Sequence, residues 1–238
     1  MSNTLETIVS DVINGKVTIP SQYEVILTDL KLTEGGYLHY NSKEVDITTG
    51  YGIYKFRHPN ALIFKYIESL SKDMPSKTSE WKDKALLKKV DGRINPAVER
   101  YLSYLFYKDY LASARIELFD DSNVILITNL YTNSPKGCWM SVQEALRDMS
   151  IDGILPIPLK DLSIVDGSFG DKTRKALIAF KEITTETKLE RIYMHKLFKK
   201  SVLLAMKTYY TGLIVGDPNK NLTNGRGWDN RLEDLEHK

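Results

Sequence analysis

The segment from Ser21 to Gly36 constrains the fold more than any other, because it sets a helix with defined ends directly before a glycine pair. Ser21 is followed three residues later by Glu24, which is the spacing of a capping box at a helix N-terminus. The Gly35-Gly36 pair ends the helix, since glycine readily takes the left-handed conformation found just past a helix end. The sequence therefore predicts that Glu34 is the last residue of this helix.

Glu34 is placed on the apolar face of the predicted helix. Tyr23, Ile26, Leu27 and Leu30 recur at helical spacing, and Glu34 follows Leu30 by four residues. Partial burial and the negative end of the helix dipole both favour the protonated form of a carboxyl group, and this suits a general acid. The alternative is a solvated terminal residue, which is the usual role of a lone glutamate before two glycines.

More acidic residues follow the glycine pair. Glu44 and Asp46 precede Thr48, Thr49 and the run Gly50-Tyr51-Gly52-Ile53. The glycine spacing and the β-branched residues favour a short twisted hairpin over more helix. An acid on a helix end would then face a second acid across a small β-lobe, which is how glycosidases flank a scissile sugar bond.

The order of these motifs resembles a known enzyme family. A helix, the sequence Glu34-Gly35-Gly36-Tyr37, an acidic loop and then Thr49, Tyr51, Gly52 and Ile53 are similar to the start of the lysozyme-like muramidases of glycoside hydrolase family 108. The E-G-G-Y motif carries the catalytic glutamate in that family. The resemblance therefore implies that Glu34 protonates the leaving glycosidic oxygen.

The chain departs from the family pattern at the second acid. The family has an aspartate and a Gly-Gly pair shortly before the threonine, whereas this chain has Asp46-Ile47 there and is one residue longer. Counting back from Thr49 makes Glu44 the equivalent acid, while residue type favours Asp46. Both residues stay open as the group that positions water or stabilises oxocarbenium charge, with the Thr49 hydroxyl orienting that water or carboxylate.

A second motif cluster lies in the C-terminal half. Asp166, Gly167, Gly170 and Thr173 form a D-G-x-x-G-x-x-T pattern. Asp166 is expected to cap its own turn, the glycines to take positive φ, and Thr173 to lie near the start of a helix over 173–183. With the preceding V-Q-E-A-L, the pattern resembles the peptidoglycan-binding helical module of these muramidases. A calcium loop would need more carboxylates and a terminal glutamate, so no metal is expected.

The segment 114–135 has a strongly apolar centre that fits either a helix or a strand by itself. In the resembling family a helix of this kind ends near an Asn-x-Gly or Asn-Ser motif, and the run Asn133-Ser134-Pro135-Lys136-Gly137 resembles it. A further helix is predicted from Cys138 to Met149.

The C-terminal segment is predicted as a long helix from Leu189 through Tyr210, a loop at 216–219 and a final turn over 224–231. In the family, tyrosines near a Pro-containing loop precede a closing G-W-x-x-R motif. The residues here in those positions are Tyr209, Tyr210, Gly227, Trp228, Asn230 and Arg231. Trp228 and Arg231 have two possible uses, contact with glycan or anchoring of the C-terminus on the core, and we favour the structural one.

Composition excludes several classes of protein. The chain has 238 residues, of which 42% are apolar, and no run approaches the roughly 18 apolar residues of a membrane span. A net charge of +2 is too small to indicate nucleic-acid binding. Cys138 is the only cysteine, so no internal disulfide forms and we expect a small buried side chain. The N-terminus lacks the basic and apolar regions of a signal peptide.

These observations predict a mainly α, lysozyme-like α+β fold, a helical bundle with a small β-hairpin lobe at the active site. We expect an N-terminal helix in 1–20, a lysozyme-like catalytic region in 21–135, and a helical peptidoglycan-binding-like region in 136–238 packed on it. The expected substrate-binding residues are Tyr37, Tyr51 and Asn133.

The resemblance implies an N-acetylmuramidase that cleaves the β-1,4 bond between N-acetylmuramic acid and N-acetylglucosamine, without metal or organic cofactor. Its partners would be bacterial peptidoglycan glycan strands. We expect synthesis in a bacterial host cytoplasm and action after holin-type release or from a virion, as an endolysin or a virion-associated lysozyme. The alternatives are a lytic transglycosylase, which needs one acid/base glutamate, and a non-catalytic wall-binding component of a phage tail or secretion system.

Overall fold

The structure is a computed structural model that describes residues 112–162, 164–183 and 187–237, together with residues 7, 10, 11, 14, 16, 26, 39–41 and 46–48. The chain divides into two compact units, Met1–Ser113 and Ala114–Lys238, and each is described by itself. The described residues are mostly helical, which confirms the predicted mainly-α class.

In the first unit, two short strands pair antiparallel. Strand β1 is His39–Asn41 and strand β2 is Asp46–Thr48, with His39 opposite Thr48 and Asn41 opposite Asp46. Of the residues predicted to form a hairpin, Thr48 ends β2, and residues 49–53 lie outside the described residues. The lobe at an active site therefore stays a prediction.

The described helical residues of the first unit agree with two of the predicted helices. Ser10 and Asp11 are helical and Asn14 follows in a turn, where its backbone N–H donates to the Ser10 carbonyl at 2.9 Å. Ile26 is helical and 3% exposed, as expected for the apolar face that leads to Glu34.

In the residues that the structure describes, the second unit begins with a 3₁₀ turn at Ile116–Leu118 and continues as α-helices. These are α1 Asp121–Asn133, α2 Pro135–Ile151, α3 Leu159–Leu162, α4 Asp171–Ile183, α5 Lys188–Gly216 and α6 Pro218–His237. The apolar segment that fitted helix or strand is thus helical in α1.

A single residue, Ser134, separates α1 from α2. Its hydroxyl oxygen accepts the backbone N–H of Gly137 at 3.2 Å, so Ser134 is the N-cap of α2 and satisfies one of the free N–H groups of the first turn. Pro135 is the first residue of the helix, where its fixed φ fits and its missing N–H costs nothing. This cap starts α2 three residues before the predicted Cys138.

Helix α2 ends in a Schellman motif. Gly153 has a φ of +71°, a conformation that glycine adopts at low cost. The Ile154 N–H donates to the Met149 carbonyl at 2.9 Å, and the Gly153 N–H donates to the Ser150 carbonyl at 3.2 Å. The chain therefore leaves α2 in a fixed direction toward α3.

The core of the second unit lies where α5 packs against α2 and α6, and α1 packs against α2 and also contacts α5. Phe198, Ile127 and Leu130 are the largest fully buried side chains, and burial of each contributes about 1.5 to 3 kcal/mol. Phe198 also contacts the rings of Phe119 and Phe180, with centroid distances of 6.2 and 4.8 Å.

The C-terminal segment differs from its prediction. Instead of a loop and a final turn, Asp217 alone separates α5 from a 20-residue helix, α6. Asp217 has φ −147° and ψ 79°, because Pro218 disfavours helical geometry in the residue before it. The glycines taken as turn residues, Gly225 and Gly227, lie inside α6, where packing of this helix on α5 outweighs their low helix propensity.

Gly137 and Gly212 are both helical glycines, and we predict opposite effects of alanine at the two positions. A Cβ at Gly137 would lie 2.5 Å from Cε1 of Tyr209, whereas one at Gly212 would meet nothing within 4 Å. Gly137→Ala should lower the free energy of unfolding by about 1 to 2 kcal/mol through overpacking. Gly212→Ala should raise it by about 0.5 to 1 kcal/mol. Urea unfolding measures both, and a stabilising Gly137→Ala would contradict the close packing of Tyr209.

Candidate functional site

The catalytic residues predicted from the sequence belong to the first unit, as do two of the predicted substrate-binding residues. The catalytic residues Glu34, Glu44 and Thr49 and the substrate-binding residues Tyr37 and Tyr51 lie outside the described residues. Asp46 is the first residue of β2 and stands opposite Asn41. The choice between Glu44 and Asp46 as the second acid therefore stays open, and the catalytic roles stay predictions.

Asn133, the predicted substrate-binding residue of the second unit, is the last residue of α1. Its side-chain amide donates to the backbone carbonyl of Asn129 at 2.7 Å, and Asn129 donates in the same way to Ile125 at 3.0 Å. Each bond joins a side-chain amide to the carbonyl one helical turn earlier in α1. The half-buried Asn133 amide is therefore held against its own helix. Its contact with a substrate stays a prediction.

The loop from Asp166 to Thr173, called here the 166–173 loop, is held by the buried side chain of Gln143 in α2. The amide nitrogen of Gln143 donates to Asp166 Oδ1 at 3.0 Å and to the Ser168 carbonyl at 2.9 Å, and it lies 3.2 Å from Thr173 Oγ1. Its amide oxygen accepts the backbone N–H of Gly167 at 2.9 Å. One side chain thus joins the V-Q-E-A-L segment, the loop and the start of α4.

The backbone of the 166–173 loop follows its predicted roles in part. Asp166 accepts the Ser168 N–H at 2.8 Å, which is the predicted cap of its own turn, and Gly167 has a φ of +75°. Thr173 is the third residue of α4, as expected. The prediction for Gly170 is wrong, because Gly170 does not take a positive φ. Its carbonyl instead accepts the N–H of Arg174 at 2.9 Å and so begins α4.

Gly167 also allows the loop to approach α2 closely. A Cβ there would lie 2.6 Å from Cγ of Lys136 and 2.8 Å from its carbonyl oxygen. The next aromatic residue, Phe169, packs on Trp139 with a centroid distance of 4.8 Å, and the Arg115 guanidinium lies 5.7 Å from the Phe169 ring centroid. The loop is therefore fastened to α2 by hydrogen bonds and by an aromatic contact.

The charge on the loop is stabilised locally. The hydrogen bond from Gln143, followed by that from the Ser168 N–H, lowers the pKa of Asp166 below its usual value.

A cavity of ≈ 180 Å³ lies beside the loop between α2, α3 and the start of α4. Within the part of the chain that the structure describes, no group of His, Cys, Asp and Glu side chains is arranged to hold a metal ion. The contacts of Gln143 and Phe169 thus hold the 166–173 loop against α2, with one face of the loop exposed.

The C-terminal aromatic residues pack α6 against α5. Trp228 stacks on Tyr210 with a centroid distance of 4.5 Å and an interplanar angle of 12°. Tyr210 is 4% exposed, and burial raises the pKa of its phenol while Arg231 opposes that effect. The half-buried Trp228 belongs to the packing around the core. These contacts confirm the structural interpretation of Trp228.

A buried polar cluster that sequence reasoning missed ties α1 to α5. The Nδ1 atom of His195 lies 3.0 Å from Nδ2 of Asn123, and its Nε2 atom pairs with the carboxylate of Asp120. Because Asn123 Nδ2 is a donor, Nδ1 accepts and Nε2 carries the proton that faces Asp120. Burial lowers the pKa of His195, Arg191 adds to that effect, and Asp120 opposes it.

Nothing in the sequence places His195 near Asn123, since 72 residues separate them. The single cysteine, in contrast, behaves as predicted. Cys138 is fully buried, and burial raises the pKa of its thiol far above the usual range. This excludes Cys138 as a thiolate nucleophile at neutral pH.

The second unit is thus a helical unit with a glutamine-held loop and an aromatic helix–helix contact. No family model, no curated protein and no solved structure matches the chain. Among the described residues, no helix has the length and apolar character needed to cross a membrane.

We predict that the charge of Asp166 stabilises the fold only above its folded-state pKa. Because that pKa is lowered, the stabilisation is present at neutral pH and is lost as pH falls through it. Asp166→Asn keeps the acceptor and removes the charge, so this variant should be less stable than wild type at pH 7, and the difference should vanish in acid. Urea unfolding from pH 7 to pH 2 measures the gap.

The same Asp166→Asn comparison in a Gln143→Leu background serves as the control. Gln143 is the main cause of the lowered Asp166 pKa, so the pH-dependent gap should shrink without it. A gap that is unchanged in that background would contradict the proposed coupling.

We predict that His195 also makes stability depend on pH, but through its neutral form, whereas Asp166 acts through its charged form. Its pKa is lowered, so the folded state favours neutral imidazole, and stability falls as pH drops below the ordinary histidine pKa of about 6.5. Thermal unfolding at pH 7.5 and 5.5 should show a loss for wild type that is smaller in His195→Gln. The matched control is His237→Gln at the exposed end of α6, which should keep the wild-type loss.

Proposed function

We propose that the chain is a peptidoglycan hydrolase, an N-acetylmuramidase that cleaves the β-1,4 bond between N-acetylmuramic acid and N-acetylglucosamine. The observation that carries the proposal is the contact between Gln143 and the 166–173 loop. The V-Q-E-A-L and D-G-x-x-G-x-x-T motifs both belong to the resemblance to the muramidase-associated module. Their meeting in space supports the resemblance as a whole, including the E-G-G-Y motif at Glu34.

In the proposed mechanism, Glu34 protonates the leaving glycosidic oxygen. Glu44 or Asp46 positions the attacking water or stabilises the oxocarbenium-like transition state, and Thr49 orients that water or carboxylate through its hydroxyl. A carboxyl separation of about 5 to 5.5 Å would favour retention of configuration, and one of about 6.5 to 9.5 Å would favour inversion.

The finer architecture is part of the proposal. It comprises an N-terminal helix in 1–20, a lysozyme-like catalytic region in 21–135 with a β-hairpin lobe, and a peptidoglycan-binding-like region in 136–238. Tyr37, Tyr51 and Asn133 contact the glycan strand. The protein acts on the bacterial cell wall as a phage endolysin or a virion-associated lysozyme, after synthesis in the host cytoplasm.

The test is digestion of purified peptidoglycan, with the products identified by mass spectrometry. The wild type should release fragments with a new reducing-end muramic acid, and Glu34→Gln should reduce this release by about 10² to 10⁴-fold, the usual contribution of a general acid. Glu117→Gln removes an exposed carboxylate of the second unit and should leave the release unchanged.

Two further results would assign a different function. Products with 1,6-anhydro ends, together with full activity in Glu44→Gln and Asp46→Asn, would identify a lytic transglycosylase. A wild type that pellets with sacculi and releases nothing would identify a non-catalytic wall-binding component.

A further inference from the structure

A groove of ≈ 580 Å³ runs between α5 and α6 in the second unit. Pockets of about 300 to 1,000 Å³ are the size that binds small molecules and short peptides. Leu203 of α5 and Leu232 of α6 line it, and Leu204, which is 65% exposed, adds apolar surface on the α5 side. The groove therefore offers apolar surface that a ligand can contact.

The two helices that form the groove carry opposite charges. On the α5 side the groove is lined by Lys196, Lys199, Lys200 and Lys207, and on the α6 side by Asp229, Glu233 and Glu236. The Lys199 ammonium donates to the backbone carbonyl of Glu236 at 3.2 Å and so bridges the helices. Among the described residues, no ion pair within 4 Å joins the other three lysines to the three carboxylates. Lys196, Lys200 and Lys207 on one side, and Asp229 and Glu233 on the other, therefore remain available to a ligand.

The length of the groove indicates the length of that ligand. Lys196 and Lys207 are 11 residues apart on α5, which corresponds to about 16 Å at 1.5 Å per residue. An extended peptide of about five residues covers this distance at about 3.3 Å per residue. A matching ligand carries carboxylates on one side, an amine on the other, and small apolar groups between them.

We propose that this groove binds the peptide stem of peptidoglycan. The stem is a peptide of four or five residues that bears free carboxylates, the side-chain amine of a diamino acid and alanine methyl groups. Its carboxylates pair with the lysines of α5, its amine pairs with the carboxylates of α6, and its methyl groups contact Leu203 and Leu232. The choice of this peptide rests on the proposed muramidase function, because the stem is attached to the glycan that the enzyme would cut. Cleavage of the glycan itself requires no contact with the stem, so the two proposals are tested separately.

The charge pattern argues against an anionic membrane surface as the ligand, but it does not argue against a second copy of the chain. An anionic membrane surface would be attracted by α5 but repelled by Asp229, Glu233 and Glu236. A second copy of the chain has both charges, because α5 of one copy could face α6 of another. Self-association is therefore measured alongside peptide binding.

The experiment uses the full wild-type chain, because the peptide probe has no glycosidic bond that the proposed activity could cleave. Isothermal titration measures the affinity for the tetrapeptide L-Ala-γ-D-Glu-L-Lys-D-Ala and for the same peptide acetylated at the lysine amine. The free peptide should bind more tightly than the acetylated one by about two- to fivefold, the value of one solvent-accessible ion pair. Higher salt should weaken binding of both peptides.

Two exposed groove residues separate the contributions of the two helices. Glu233→Gln should reduce the difference between the free and acetylated peptides, because it removes one of the carboxylates that pair with the amine. Lys200→Gln should weaken both peptides to the same extent, by about two- to fivefold. The matched control is Lys175→Gln on the exposed surface of α4, which should change neither affinity.

The proposal is overturned by absence of tetrapeptide binding, or by binding that Lys200→Gln and Glu233→Gln leave unchanged. It is also overturned if sedimentation shows a dimer that Glu233→Gln dissociates, since the groove is then an interface between copies. Loss of peptide binding with intact wall cleavage by the wild type would reject only this site. Tetrapeptide binding without cleavage would reject only the muramidase activity.

Discussion

The hydrogen bonds of Gln143 are the interaction on which the geometry of the second unit depends. A buried amide must satisfy both its N–H and its carbonyl groups, and each unsatisfied group would cost about 1 to 3 kcal/mol. Gln143 does so with Asp166, Ser168 and Gly167, so the loop takes the one shape that serves those partners. This fixes the start of α4 and, through Phe169, the packing on Trp139.

The position of α5 follows from packing on several sides. Tyr209 lies against Gly137 of α2, Tyr210 stacks on Trp228 of α6, and His195 pairs with Asp120 before α1. Because these contacts hold α5 at two places along its length, at His195 and at Tyr209 and Tyr210, the helix has little freedom to rotate or slide. The groove between α5 and α6 is therefore a preformed surface, which reduces the ordering cost of binding a ligand.

The sequence was most informative where one residue determines the local backbone. Asp166 and Gly167 specify a turn by side-chain bonding and positive φ, and both expectations are met. The sequence was least informative where tertiary contacts decide. Gly225 lies within a helix, and its missing Cβ leaves room for the close approach of the Ile214 side chain. No local rule predicts that approach. The link between His195 and Asn123, 72 residues apart, has no sequence signal at all.

The distribution of polar groups indicates where the second unit can recognise a ligand. The polar side chains of the 166–173 loop and of the His195 cluster bond largely within the protein, and the aromatic rings near the C-terminus pack on one another. The lysines and carboxylates of the α5–α6 groove instead lie at the surface of a cavity. If the catalytic acids of the first unit cut the glycan strand, a peptide-binding groove in the second unit would add affinity for the same polymer. Linked sites of this kind increase overall affinity through effective concentration, without requiring any part of the second unit in the chemistry.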